Sequence, residues 1–144
     1  MTQVAFHFNA PGRLAYACRL LRKATAGGAT VVVAAGDETL DELDTALWTF
    51  SATDFLPHCR LPGASEAVLR HSPIVLSGAP LMAPHRDVLV NLGDEVPEGF
   101  EQFERVIEVV ALDEDERQRA RRRWKRYADQ GLAIQRHDLG QAAS

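Results

Sequence analysis

The sequence predicts a single α/β domain in which a parallel-centred, mixed sheet carries helices on both faces. The chain has 144 residues, which is close to the size of one domain. Segments with the pattern of strands alternate with segments of helical pattern through most of its length. The run TVVVAA at residues 30–35 is continuously apolar and β-branched, as in a strand covered on both faces. We expect this domain to span residues 1–139 and residues 140–144 to be frayed.

Composition limits the classes of function. The net charge is −4 at pH 7, so the whole molecule is not a general binder of nucleic acid and any basic function must be local. The two cysteines, Cys18 and Cys59, lack the spacing of a metal or redox motif. No segment resembles a signal peptide or has the apolar length of a membrane span. We therefore expect a cytoplasmic protein without a cofactor.

The first half of the chain alternates between the two patterns. Residues 4–8 (VAFHF) predict a short strand, and residues 13–26 place apolar side chains at helical spacing. The covered strand at residues 30–35 follows. Residues 39–48 predict a second helix with an acidic outer face, and a short strand is predicted at residues 55–56.

The second half continues the alternation. Residues 74–77 and 88–92 are short apolar runs that predict two strands, separated by a proline-broken loop. A short helix is predicted at residues 99–105 and a strand at residues 106–112. A last strand is predicted at residues 132–136, after a long basic helix.

That basic helix, DEDERQRARRRWKRYADQ at residues 113–130, has clear predicted ends. Asp113 can cap it, with Glu116 three residues later completing a capping box. Its acidic residues come first and its basic residues later, as the helix dipole favours. Gly131 is placed to end it in the left-handed conformation.

Helical geometry divides the side chains of this helix among three faces. Those expected to dock on the core are Ala120, Trp124 and Tyr127. Directly beside them runs a cationic stripe of Arg117, Arg121 and Lys125. Those expected to point away are Arg119, Arg122 and Arg126. A solvated charged helix is one interpretation. The other is a surface for an anionic peptide or nucleic acid, because cations beside an aromatic edge suit such ligands.

The motifs of common catalytic sites are missing from the sequence. The first strand–helix junction, FNAPGRLAY, has one glycine and no GK[ST], so neither type of phosphate-binding loop is present. His58 and Cys59 are adjacent on an extended chain and therefore point to opposite sides, which argues against a catalytic dyad. No His, Cys or Asp cluster has the spacing of metal ligands.

Aromatic residues crowd the region after the second helix. Trp48, Phe50 and Phe55 lie within eight positions of one another. Core packing is one interpretation. The other is an apolar patch that anchors a protein partner, because large aromatic side chains are common at the centres of interfaces.

The order and spacing of several segments resemble a known family. These segments are LDTALW…DFLPH, the strand VLVNL and the helix RQRARRRWKRYADQGL. Together they resemble the chi subunit of bacterial DNA polymerase III, an accessory protein of the clamp loader. The resemblance covers nearly the whole chain. It implies an α/β fold similar to that of nucleotide-binding proteins but without their phosphate loop, and no catalytic activity of its own.

The resemblance also implies a binding site for the acidic C-terminal tail of single-stranded-DNA-binding protein, which ends in Pro-Phe with a free carboxylate. The basic positions of the family fall on Arg117, Arg121 and Lys125, of which Arg121 is the most important. The apolar positions implied for the pocket of the terminal phenylalanine are Val109, Val110, Trp124 and Leu132.

A second protein partner is implied on another surface. It would be the psi subunit or an accessory helicase, anchored by Trp48 and Phe55. The residues after the tryptophan, TFS, depart from the proline-containing turn of the family. The resemblance thus implies a non-catalytic adaptor that links the clamp loader to single-stranded-DNA-binding protein. Two other hypotheses remain beside it: direct binding of single-stranded nucleic acid through the arginine-rich helix, and a nucleotide-binding enzyme.

Overall fold

The described residues form one sheet of seven strands, in the order β3-β4-β2-β5-β6-β1-β7. The computed structural model describes residues 2–49 and 56–142. Every strand pairing among them is parallel. The α/β prediction is confirmed, and the sheet is parallel throughout where a mixed one was expected. The strands are β1 (Gln3–Ala10), β2 (Val31–Ala34), β3 (His58–Arg60), β4 (Ile74–Leu76), β5 (Val88–Asn91), β6 (Arg105–Ala111) and β7 (Ile134–Asp138).

Helices cover both faces of this sheet. They are α1 (Arg13–Ala26), α2 (Asp37–Thr49), α3 (Glu66–His71), α4 (Glu114–Asp129) and the single turn α5 (Leu139–Ala142). The buried side chains of α1 and α2 pack in one core cluster, on what we call the first face. Those of α4 pack in a second cluster, with Leu69 of α3 against it, on what we call the second face. From β1 to β3 each new strand lies further toward one edge of the sheet, and from β3 to β7 each lies further toward the other edge. Because crossovers between parallel strands are right-handed, this reversal places the later helices on the second face.

Three elements differ most from the sequence prediction. Strand β3 lies at residues 58–60 instead of 55–56, and residue 55 is outside the described residues. The helix predicted at residues 99–105 is only one 3₁₀ turn at Phe100–Gln102, because the chain enters β6 at Arg105. Helix α3 was not predicted: it has six residues and buries none of them fully, so it carries no apolar stripe.

Both predicted ends of α4 are observed. The Asp113 carboxylate accepts a hydrogen bond of 3.1 Å from the Glu116 backbone N–H, and Gly131 has a φ of 79°. The predicted capping box is not complete, since the Glu116 side chain turns instead to Arg13 at 2.7 Å. Among the described residues, no helix combines the length and the apolar character that a membrane crossing requires.

Candidate functional site

A groove of about 420 Å³ opens on the second face beside helix α4. Three elements of the sheet and one helix form its walls. Its lining residues are Phe6 and Phe8 from β1, Val110 from β6, Arg117, Ala120, Arg121 and Trp124 from α4, and Arg136 from β7. The groove therefore joins an aromatic and aliphatic floor with three arginines.

Strand geometry explains the aromatic floor. Successive side chains of a strand point to opposite faces, so Phe6 and Phe8 share the second face while His7 points to the first. The Phe6 ring lies 5.0 Å from the Trp124 ring, centroid to centroid. On the other face the His7 ring is hydrogen-bonded through Nδ1 to the Tyr16 hydroxyl, and burial lowers the pKa of His7 to about 4.

Two cations of the groove come from α4. The side chains of Arg117 and Arg121 are 42% and 66% exposed, so solvent reaches both guanidinium groups. Glu114, in the first turn of the helix, lies 3.9 Å from Arg117 and 3.7 Å from Arg121. Such exposed and long ion pairs contribute little, roughly 0–1 kcal/mol. An incoming carboxylate can therefore displace Glu114 from both arginines at small cost.

The third cation of the groove comes from the edge strand β7. The Arg136 guanidinium lies over two rings of the floor, 5.2 Å from the Phe8 centroid and 5.8 Å from the Trp124 centroid. Cation–π contacts hold it there. Sequence reasoning missed Arg136, because nothing local to its segment indicates that β1 pairs with β7 and brings Phe8 beside it.

The structure brings together some of the residues implied for the tail site. Arg117, Arg121, Trp124 and Val110 all line the groove. Lys125 is exposed outside the lining, and Leu132 packs against the core cluster of the second face.

Val109 does not belong to this groove. It is fully buried in the cluster of the first face, between the sheet and helices α1 and α2. Val110, its neighbour on β6, packs in the cluster of the second face instead. The placement of both valines in one pocket is therefore wrong, because adjacent residues of a strand cannot line the same face.

A buried polar network fixes α4 to the sheet. Glu108 of β6 is completely buried and Arg123 is 3% exposed, with the Arg123 Nε donating to the Glu108 carboxylate at 2.9 Å. Tyr127 donates its hydroxyl to the same carboxylate at 2.7 Å. Asn91 donates from Nδ2 to both carboxylate oxygens, at 3.1 and 2.9 Å. Arg123, Tyr127 and Asn91 therefore all donate to one carboxylate.

Burial and the neighbouring charge shift the pKa of this carboxylate in opposite directions. Burial raises the pKa of Glu108 above its ordinary value, whereas the Arg123 charge and the hydrogen bonds from Asn91 and Tyr127 lower it. Burial and the neighbouring Glu108 also raise the pKa of Tyr127, which keeps its hydroxyl protonated as a donor. The network fixes the rotation of α4 about its axis, and with it the direction in which the groove arginines point.

One arginine expected to point away from the core has a partner. Arg119 lies 3.1 Å from the Asp94 carboxylate through its Nε, and its side chain is 38% exposed. The loop after β5 reaches this side of the helix, so Arg119 is paired there and is only partly exposed. Arg122 and Arg126 are exposed, as predicted.

The edge of the sheet where α/β proteins bind nucleotides is bridged by an ion pair. Arg13, which follows β1, donates at 2.7 Å to Glu116, which follows β6, and at 2.9 Å to the backbone carbonyl of Leu92, after β5. Ligands of open α/β sheets bind outside the carboxyl ends of the strands. In this protein the Arg13–Glu116 ion pair occupies that position, across the ends of the neighbouring strands β5, β6 and β1.

Trp48 lies on a separate surface. Its side chain is 60% exposed at the end of α2, and its ring contacts that of His58 edge-on, 5.3 Å between centroids. His58 is bonded through Nε2 to Asp44 at 2.8 Å. Cys59 packs in the cluster of the second face, whereas His58 contacts α2, so the two side chains point to opposite sides of β3 as expected. Phe50 and Phe55 lie outside the described residues.

Fold and groove together define a small α/β protein whose distinctive surface is a cationic groove with an aromatic floor. A family model described as "DNA polymerase III chi subunit, HolC" matches residues 1–135. The chain therefore belongs to the chi subunit family of DNA polymerase III, whose members are accessory subunits of replication.

Two relatives support this family over most of the chain. The DNA polymerase III subunit chi of Pseudomonas aeruginosa is 36% identical over 144 aligned residues, which cover 96% of this chain and 98% of that protein. The subunit of the same name from Haemophilus influenzae is 30% identical over 126 residues, covering 86% of this chain and 85% of that protein.

Proposed function

We propose that the protein is a non-catalytic adaptor that connects the clamp loader of DNA polymerase III to single-stranded-DNA-binding protein. It does so by binding the acidic C-terminal tail of that protein in the groove beside α4. The observation that carries the proposal is the combination of three arginines with a floor of Phe6, Phe8, Val110 and Trp124. A peptide that ends in an apolar side chain and a carboxylate uses both halves of this surface. The adaptor acts in the cytoplasm and needs no cofactor.

The physical chemistry of the groove favours a peptide tail over a nucleic acid backbone. Arg117 and Arg121 span little more than one helical turn, which matches a few carboxylates better than an extended row of phosphates. The apolar floor beside them excludes water from a bound aromatic side chain, and its contribution is not screened by salt.

The proposal is tested by titrating the protein with a fluorescent acidic peptide that ends in Pro-Phe with a free carboxylate. We expect saturable binding of one peptide per protein, weakened by added salt but not abolished. The matched control is a peptide of the same composition and charge in which the phenylalanine is moved to the interior. Equal binding of both peptides would contradict the groove assignment. Stronger binding of a bare single-stranded oligonucleotide at physiological ionic strength would favour the nucleic-acid hypothesis instead.

The second partner is proposed to bind at Trp48, as a psi subunit or an accessory helicase, with Phe55 as a further anchor. Trp48 is mostly exposed, so its replacement by alanine should cost much less than the 3–5 kcal/mol of a buried tryptophan. We expect Trp48→Ala to weaken binding of the second partner at least tenfold while tail affinity stays unchanged. Pull-down with psi or the helicase measures partner binding, peptide titration measures tail affinity, and thermal unfolding measures the change in stability. A large loss of stability without a loss of partner binding would show that Trp48 packs in the core and does not anchor a partner.

A further inference from the structure

Strand β7 forms one edge of the sheet, and its outer side is open. It pairs with β1 in continuous register over residues 134–138. Within residues 2–49 and 56–142, no strand pairs with its other side. The side chains of residues 135–137 are exposed, and the turn α5 that follows folds onto the sheet, with Leu139 against the core cluster of the first face. The outward N–H and C=O groups of β7 can therefore pair with another chain.

The opposite edge of the sheet is protected against such pairing. Strand β3 has only three residues, and Pro57 and Pro62 lie close to its two ends. Proline lacks the N–H that strand pairing requires, and short edge strands rarely accept a partner. Strand β7 has five residues, no proline and no bulge against β1. This difference between the two edges favours the addition of a strand at β7.

Positive charge lies beside β7 on both faces of the sheet. Arg136 points to the second face, where its guanidinium lies over the aromatic floor of the groove. His137 points to the first face, where its ring lies 4.6 Å from that of His7. The one carboxylate of the strand, Asp138, already accepts a hydrogen bond of 2.9 Å from Asn9. Burial lowers the pKa of His7, and positive charges nearby lower it further, those of His137, Arg105 and Lys23. An added strand directs its side chains alternately to the two faces, so acidic side chains are favoured on both.

We infer that the acidic tail runs along β7 as an additional strand of the sheet, before its apolar end turns into the groove. This inference rests on the proposed function. The edge and the groove adjoin, because β7 contributes Arg136 to the wall of the groove. In strand addition the main-chain hydrogen bonds supply affinity, and the surroundings of the alternate side chains select the sequence. Here the flanking cations select an acidic sequence.

The experiment uses a series of acidic Pro-Phe peptides, each N-methylated at one backbone amide before the Pro-Phe end. Methylation removes one hydrogen-bond donor and leaves every side chain and every charge in place. Only alternate amides of an added strand face β7, so we expect the loss of affinity to alternate along the peptide. It should be about tenfold at every second position, where a hydrogen bond is lost, and less than about twofold at the positions between.

Amide hydrogen exchange followed by NMR tests the same contact from the side of the protein. Alternate amides within residues 134–138 should become protected when the unmethylated peptide binds. The amides of the opposite edge, residues 58–60, are the matched control and should not change. Equal losses at all methylated positions, with no new protection in β7, would show that the tail contacts side chains alone and would overturn the inference.

Two further outcomes are distinguished by the same measurements. Protection of β7 that appears without peptide and rises with protein concentration would assign the edge to a second copy of this chain, which also overturns the inference. A wild-type protein that does not bind the unmethylated peptide overturns the proposed function itself.

Discussion

Replacing Arg123 by methionine should lower the free energy of unfolding by about 3–5 kcal/mol, the effect typical of breaking a buried ion pair from one side. The loss comes from Glu108, which is completely buried and would keep its carboxylate without a cationic partner. Tyr127 and Asn91 would still donate to it, but two neutral donors do not replace the Arg123 charge. Urea unfolding at neutral pH measures the change.

The neighbouring Arg122→Met variant provides the control. Arg122 is exposed on the same helix, so its loss should change stability by no more than about 0.5 kcal/mol. The double variant Glu108→Gln with Arg123→Met should lose less stability than the sum of its single changes, because no unpaired charge remains buried. An effect of Arg123→Met as small as that of Arg122→Met would contradict the role of the network.

The sequence itself contains a signal for this network, in the strand and not in the helix. Arg123 lies in a run of arginines, which suggests a solvated surface. Glu108, however, interrupts the apolar run VIEVVA of β6. A strand of a parallel sheet is covered on both faces, so its acid must be buried, and a buried acid requires a partner. The helix that follows this strand supplies the nearest cations.

The fold was predictable because its signals are local. Alternating strand and helix patterns identify a parallel α/β sheet. The bounds of α1 at residues 13–26 follow from apolar spacing between the NAPG break and the glycines at 27 and 28. Strand order is not local. The position of β1 between β6 and β7 follows from pairings more than one hundred residues apart in the chain, such as Gln3 with Arg105.

The same distinction applies to the groove. Arg117, Arg121 and Trp124 belong to one helix, so their common location follows from 3.6 residues per turn. Phe6, Phe8 and Arg136 come from two other elements and reach the groove only through strand pairing. Helical spacing could therefore indicate the helix side of the site, including Trp124, but not Phe6 and Phe8 of the floor or Arg136 on the opposite wall.

Replacing Arg121 by alanine should reduce tail affinity by about 2 kcal/mol, which is roughly thirtyfold, with almost no change in stability. The side chain is 66% exposed and its ionic contact to Glu114, at 3.7 Å, is weak, so the unbound protein loses little stability. In the complex, a peptide carboxylate that covers Arg121 next to the aromatic floor excludes water and strengthens their attraction. Fluorescence titration with the free-acid Pro-Phe peptide measures the loss.

The choice of control follows from the ion pairs of α4. Arg119→Ala is unsuitable, because Arg119 is bound to Asp94 and its loss also affects the loop after β5. Arg126→Ala removes an exposed cation outside the groove and should change tail affinity by less than about twofold, as peripheral charges do. Equal losses for Arg121→Ala and Arg126→Ala would mean that α4 attracts the tail as a diffuse polycation. A selective loss at Arg121 would mean that the peptide occupies one defined groove, since only a fixed contact distinguishes two exposed arginines on the same helix.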